Sequence, residues 1–230
     1  MPDNFITIIP ARGGSKRIKN KNLTLIAGKP LVEWTIDSAK KSKYLNKIIL
    51  SSDKNELLTL AQKKNIETLK RPKKLSLDTT KTHDVVFDIL NKIDFSKKKY
   101  KYILLLQPTS PLRSTTDINK AIRLFLKKKP SSLISVNKVD KKYLKSFLVS
   151  NKNYLKPIYD KKFPFYPYQK LPNLFISNGA IYIVKVDYFK KYKNFFSNKT
   201  IHYEMSKEKS LDIDNLKDLK IAQKKLLKIK

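Results

Sequence analysis

Asp212 and Asp214 alternate along SLDID (210–214), a stretch that reads as extended, so their carboxylates share one face. Carboxylates held close together repel unless a cation lies between them, and Mg²⁺ is the usual partner when the substrate is a triphosphate. Asp214 is also placed to cap the helix that follows, which leaves Asp212 as the discriminating residue. The other end of the chain offers a place for the triphosphate. FITII (5–9) reads as a buried strand and empties into PARGGSKRIKNKN (10–22), where Gly13 and Gly14 precede Ser15 and Arg12, Lys16, Arg17, Lys19 and Lys21 surround them. Glycines let successive backbone N–H groups turn onto one anion, the basic residues add countercharge, and Ser15 adds a hydroxyl. The same string also suits an ordinary glycine turn edged with solvated lysines.

Composition favours the phosphate reading. Average usage would give a chain of this length about sixteen glycines, and it has four: Gly13, Gly14, Gly28 and Gly179. Those that remain mark positions where no other residue fits. Five of the 51 basic residues are arginine (Arg12, Arg17, Arg71, Arg113, Arg123), and two of these flank the glycine pair. Arginine is retained where a bidentate fork is needed and lysine does not serve. With no cysteine and two histidines, thiolate chemistry, a cysteine-built zinc site and a serine-type triad are excluded or poorly supplied. The formal charge of +32 invites a nucleic-acid reading, but the lysines occupy every segment instead of one stripe, which argues against a specific nucleic-acid partner. No signal peptide and no stretch of eighteen apolar residues is present, so the expectation is a cytoplasmic protein without a membrane partner.

The elements that must position these residues alternate. Helix is predicted over 30–42, 54–64, from a cap at Asp78 to about 93, over 116–128 and over 215–229. Strands are predicted at 47–53, 66–69, 101–106, 132–136, 173–184 and 200–205, with KYILLL (101–106) the most apolar and therefore central. Such alternation means parallel strands joined by right-handed crossovers, an open α/β sheet with ligands outside the carboxyl ends of its strands. The loop after residue 9, Asp53 and Gln107 in QPTSP all fall at that edge. A neutral amide there can read sugar hydroxyls, although two prolines and a serine equally suit a plain turn. Residues 138–175, rich in Tyr, Phe and Pro, break the pattern and read as an excursion, either a lid or an arm packing on a second subunit. The expectation is a single domain over 1–230 with that arm inserted.

IIPARGGSKRIKNKN (8–22), LLLQPTSPLR (104–113), SNGAIY (177–182) and SLDID (210–214) occur in this order, and together they resemble the acylneuraminate cytidylyltransferases nearly end to end. The resemblance implies a nucleotide-diphospho-sugar transferase-like, Rossmann-like fold with helices on both faces. It implies an enzyme that uses CTP and Mg²⁺ to activate a nine-carbon 2-keto sugar acid, releasing pyrophosphate, and that works as a homodimer whose arms complete each other's sugar sites. On matching positions, Arg12, Gly13, Gly14, Ser15, Lys16 and Lys21 would hold the triphosphate and Asn22 the nucleoside. Arg71 would lie on the cytosine with Thr82 beside it. Asp212 and Asp214 would hold Mg²⁺, and Lys21, Arg12 and Asp212 would carry the catalysis. Gln107, Asn178 and Tyr182 would form the sugar site, Phe195 and Phe196 an apolar wall for an N-acyl group, and Lys145 the arm's partner for the sugar carboxylate. Ile176 and Tyr168 stand where the family often has arginine, which leaves N-acetylneuraminate and a legionaminate-type acid both open as the sugar. Another sugar-acid cytidylyltransferase is the alternative enzyme, and a non-catalytic polyanion or nucleic-acid binder is the alternative of a different class.

Overall fold

The computed structural model of the chain describes residues 4–93 and 100–228. Its frame is one seven-stranded sheet formed by β1 (Phe5–Pro10), β4 (Lys47–Ser52), β5 (Glu67–Lys70), β6 (Tyr102–Leu105), β7 (Ser132–Val139), β10 (Leu174–Lys185) and β11 (Thr200–Glu204). They lie in the order β11-β7-β10-β6-β1-β4-β5. β1 pairs in parallel with β4 and β6, β4 with β5, and β7 with β11, while β10 runs antiparallel to both of its neighbours. The sheet is therefore mostly parallel, as predicted, and the apolar KYILLL segment does form its middle strand.

The alternation of side chains along each strand accounts for the two-sided core. Phe5 and Ile9 of β1, Ile48 and Leu50 of β4, and Leu104 face one way and pack with residues of α1 (Leu31–Lys40), α2 (Asn55–Lys63) and α4 (Thr115–Lys128). Ile6, Ile8, Ile49, Ile103 and Leu105 face the other way and meet α3 (Thr82–Lys92) and α5 (Val186–Tyr192). Each fully buried Leu or Ile contributes about 1.5–3 kcal/mol, so the sheet is held from both sides. A third cluster lies at the sheet's edge. There α6 (Leu216–Leu227) packs Ala222 and Leu226 on Ile18 of the first loop, Ile26, Leu112 and Ile213. Ile26 belongs to a short hairpin of β2 (Leu25–Ile26) and β3 (Lys29–Pro30), turned by Ala27 and Gly28, both at positive φ (48° and 86°). That cluster fastens the glycine loop to the SLDID segment.

Several boundaries differ from the sequence reading. Helix α1 starts at Leu31, and Pro30 ends the hairpin instead. Asp78 caps nothing: α3 starts at Thr82, four residues later, and its N-cap Lys81 makes no side-chain cap bond. Asp214 does not cap α6 either. Asn215 does, accepting from the Lys217 and Asp218 amides while Asp218 bonds back to the Asn215 N–H, a reciprocal capping box. Residue 229, predicted as helix, lies outside the described residues. β7 runs on to Val139 because Leu174–Ser177 of β10 pair with it. These paired ends form the stem of the predicted arm, which carries the hairpin β8 (Phe147–Val149) and β9 (Leu155–Pro157) and three 3₁₀ turns. No helix among the described residues is long and apolar enough to cross a membrane.

Arg113 is the largest fully buried side chain. Its guanidinium donates to the Gln107 carbonyl at 3.1 Å, the Ala180 carbonyl at 2.9 Å and the Thr35 hydroxyl at 2.7 Å. Burial pushes its pKa down to about 9, so it remains charged at neutral pH, with Asp117 acting on it through space. One side chain thereby joins the end of β6, the middle of β10 and α1. Arg113→Leu would strand two carbonyls and a hydroxyl. It is expected to cost about 3 kcal/mol, lowering Tm by about 6–12 °C in a calorimetric scan.

Candidate active site

The first loop is shaped by the end of β4. The Ala11 N–H donates to the Ser51 carbonyl, the Gly13 N–H donates to the Asp53 carboxylate at 2.8 Å, and Lys54 Nζ reaches Asn20 Oδ1 at 2.9 Å. Asn20 takes the left-handed conformation (φ 53°) and turns the chain into the 3₁₀ turn Lys21–Leu23. This corrects the reading of Gly13. Its amide is already taken by Asp53, and a Cβ there would lie 2.8 Å from Lys54 Cβ, so glycine is required by packing. Gly14 meets no such neighbour and lines the cleft.

That cleft, about 280 Å³, opens at the carboxyl ends of β1 and β6. Arg12, Gly14, Ser15, Lys21 and Asn22 form one wall, Asp212 and Asp214 the floor beside them, and Gln107, Pro108 and Thr109 the edge toward β6. Arg71, Leu75, Leu77, Thr80, Thr82 and Val85 form the opposite wall. The nucleotide-site residues predicted from sequence thus converge, with two exceptions: Gly13 and Lys16 do not line the cleft.

The charged groups are distinctly placed. Lys21 Nζ donates to the Ile213 carbonyl at 2.7 Å and lies 3.8 Å from Asp214, and burial lowers its pKa against the pull of Asp214 and Asp212. Arg17 pairs with Asp214 at 3.3 Å. Arg71, 5% exposed, donates to the Ser51 carbonyl at 2.7 Å, and burial lowers its pKa to about 10. Asn22 is buried; its amide donates to the Arg12 carbonyl at 2.9 Å, while its Oδ1 has no partner. Burial raises the pKa of Asp212, with a hydrogen bond from Thr109 opposing and the charge of Asp214 adding to the rise.

Asp212 Oδ1 is buried without a hydrogen-bond partner. A buried lone oxygen beside a half-exposed carboxylate fits a hard cation. Among the described residues, no group of three or more His, Cys, Asp or Glu forms a ready-made metal cage. The pair Asp212 and Asp214, with its partnerless oxygen, fits a cation such as Mg²⁺ that takes one or two carboxylates and fills its remaining positions with water and substrate phosphates.

The residues predicted for the sugar are not gathered in this cleft apart from Gln107. Asn178 is buried and structural, accepting from Ser135 at 2.6 Å and donating to Ser210 at 2.9 Å. It stabilises the bulge where β10 shifts register between Ser177 and Tyr182. Gly179 in that bulge has φ +72°, and a Cβ would meet Gln107 Oε1 at 2.8 Å. The Tyr182 hydroxyl bonds Ser177 at 2.9 Å. Phe195 turns inward onto Phe189 and Tyr182, with ring centroids 4.9 and 5.7 Å apart, whereas Phe196 is 60% exposed. The two phenylalanines therefore do not make one wall. Lys145 lies on the arm, half-buried in a 3₁₀ turn. Sequence reasoning missed Thr109, although it lies within the QPTSP string, and the role of Asp78, which was read as a helix cap.

This sheet with its cleft at the carboxyl edge has the nucleotidyltransferase fold. A CMP:2-keto-3-deoxy-manno-octonic acid synthetase complexed with CTP superposes with TM-score 0.75 at 14% identity, over 99% of this chain and 100% of that one. A 4-diphosphocytidyl-2C-methyl-D-erythritol synthase from Anaerococcus prevotii gives 0.69 at 14%, over 98% and 99%. The family model described as Cytidylyltransferase matches residues 6–230, and the chain belongs to that family. An N-acylneuraminate cytidylyltransferase of Streptococcus agalactiae is 33% identical over 217 residues, 93% of this chain but 51% of that protein. One from Escherichia coli is 31% identical over 223 residues, 96% of this chain and 52% of that protein. The chain thus spans about half the length of these two relatives. A CMP-N,N'-diacetyllegionaminic acid synthase of Legionella pneumophila is 32% identical over 231 residues, 96% of this chain and 95% of that protein.

Folding raises the pKa of Asp212, so its ionised form destabilises the fold above that pKa, and stability is regained as pH falls through it. Asp212→Asn, a neutral isostere, is expected to melt about 2–4 °C higher at neutral pH in metal-free buffer. The gap should close on acidification. An unchanged or lower Tm at neutral pH would contradict the buried-charge account.

Proposed function

We propose that the chain transfers CMP from CTP to a nine-carbon 2-keto sugar acid, N-acetylneuraminate or a legionaminate-type relative, with Mg²⁺ as cofactor and pyrophosphate as leaving group. The observation carrying this reading is the meeting of Arg12, Ser15 and Lys21 with a buried, partnerless Asp212 oxygen in one cleft of a cytidylyltransferase-family chain. The relatives in Streptococcus agalactiae and Legionella pneumophila are named for sugar acids of the same class.

Arg12, Ser15, Lys16 and Lys21 hold the triphosphate, and Arg71 and Thr82 flank the base. The partnerless Asn22 Oδ1 accepts from a nucleoside donor. Asp212 and Asp214 hold Mg²⁺, which when bound offsets charge on the phosphate oxygens. The anomeric hydroxyl attacks the α-phosphorus in line; a P–O bond forms to the sugar and the P–O bond to pyrophosphate breaks. Lys21 and Arg12 stabilise the charge that gathers on the leaving group. The proton of the attacking hydroxyl passes to water in the open cleft, since a carboxylate engaged with Mg²⁺ loses the basicity that burial alone would give it.

The dispersed sugar residues are explained if a second copy completes the site. Phe165 is 84% exposed, Leu155 65% and Val149 63%, all on the arm, more apolar surface than an isolated arm should leave in water. The functional unit in this reading is a cytoplasmic homodimer whose arms exchange. Phe165→Asp combined with Leu155→Asp is expected to shift sedimentation from dimer to monomer. A wild-type monomer in sedimentation would remove the shared-site reading.

The reaction itself is tested by pyrophosphate release with CTP and Mg²⁺, offering N-acetylneuraminate, legionaminate-type and pseudaminate-type acids in parallel, with ATP, GTP and UTP as controls. Release is expected with CTP and one of the first two acids, and Asp212→Asn is expected to lower turnover by about 100-fold or more. If CTP binds but no acid gives release, the sugar assignment fails. An Asp212→Asn enzyme with full turnover would remove the metal assignment.

A further inference from the structure

Asp78 lies outside every role assigned above, yet it lines the cleft. It pairs with the Arg12 guanidinium on one oxygen and with Lys16 Nζ at 3.3 Å on the other. Those are two of the cations proposed above to hold the triphosphate, and Asp78 pairs with both, one on each carboxylate oxygen. The Arg12 contact, with Lys16 adding, holds the Asp78 carboxyl below the usual carboxylate range, so it is ionised at neutral pH.

The segment that carries it is only locally built. Among the described residues, the backbone and hydroxyl hydrogen bonds of residues 73–80 close within 72–80: Leu75 and Ser76 amides to Pro72 and Lys73, Thr80 to Leu77 and Lys74, and the Ser76 hydroxyl to Pro72. The ion pairs of Asp78 are what tie this wall of the cleft to the phosphate loop across it. Asp78 is about one-third exposed and Lys16 is 84% exposed, so both pairs can open without disturbing the core.

We propose that Asp78 is an internal competing anion. It occupies Arg12 and Lys16 when no phosphate is present, must be displaced by any polyphosphate that enters, and returns to those cations to help expel pyrophosphate after the transfer. A ligand bound to a site that is open for only a fraction of the time is weakened by that fraction. The same factor applies to every ligand that needs the same two cations. Asp78 therefore weakens CTP and pyrophosphate together, which keeps the product from being retained. The inference draws on the proposed use of CTP only to say which ligands matter, since pyrophosphate alone engages the two cations.

The test is calorimetric titration of pyrophosphate and, separately, of CTP into the wild-type chain, Asp78→Asn and Asp78→Glu, in metal-free buffer at low and high salt. Removing a partly exposed ion pair should tighten pyrophosphate by about three- to tenfold at low salt. CTP should tighten by the same factor, Asp78→Glu should stay near wild type, and the gain should shrink at high salt as the pairs are screened. An Asp78→Asn chain that binds CTP more weakly but pyrophosphate as before would overturn the proposal and make Asp78 a nucleoside contact. Weakening of both ligands together with a lowered Tm would overturn it in favour of a structural role. A wild-type chain that binds pyrophosphate but not CTP would fail the proposed reaction alone, and the pyrophosphate arm would still decide the role of Asp78.

Discussion

A fully buried guanidinium constrains everything around it. Arg113 carries its charge into the sheet without a carboxylate in direct contact and is stabilised by two carbonyls and a hydroxyl from three different elements. A buried charge is tolerated only where its hydrogen bonds are made, so the end of β6, the β10 bulge and α1 must keep their relative places. Gln107, Thr109 and Gly179 inherit that rigidity. Gly179 is packed so closely against the Gln107 amide and Asp212 that a methyl group would not fit there without displacing the amide. The amide edge and the buried carboxylate are thus set by the same constraint.

The opposite side of the cleft is built differently. The glycine loop depends on backbone and side-chain ties to the end of β4, and Asp53 spends its carboxylate on the Gly13 N–H. The cations left over are paired with acids: Arg12 and Lys16 meet Asp78, and Arg17 and Lys21 meet Asp214. In a chain of formal charge +32, Asp78, Asp212 and Asp214 line the cleft beside these cations. The electrostatics of the cleft are therefore those of exchange, one anion for another, more than of simple attraction.

Much of this was legible in the residues. Strand–helix alternation gave the open sheet because each apolar segment matched its period, and β1 shows why: Ile6 and Ile8 serve one face while Phe5 and Ile9 serve the other. The convergence of loop, strand end and SLDID on one cleft was legible because each carries a local signature. Scarce arginine marked Arg71 and Arg113 correctly as special, but the fork binds protein carbonyls at both, and composition does not distinguish a carbonyl from a phosphate. Gly13 was identified for its scarcity and misread in its cause, because its conflict with Lys54 is a contact 41 positions away in sequence. Asp78 and Asp214 were taken as caps because a helix-start pattern is local, whereas their ion pairs are set by the fold. The residues expected to meet the sugar were least readable as one group: they are spread over β10, the segment after α5 and the 138–175 excursion, and no short string brings them together.

The loop cations and the acidic pair that faces them are contributed from opposite ends of the described chain: the bond from Lys21 to Ile213 spans 192 positions. The cluster that joins them, Ile18 with Ile213 and Leu226, needs α6 in place. During synthesis, β1 and its loop leave the ribosome with a dense group of positive charges that lacks the SLDID acids until nearly two hundred more residues have been translated. A nascent chain at that stage carries the basic loop without Asp214, the partner of Arg17 and Lys21, so the charge balance of the cleft is reached only once α6 has emerged to pack Ile18 against Ile213.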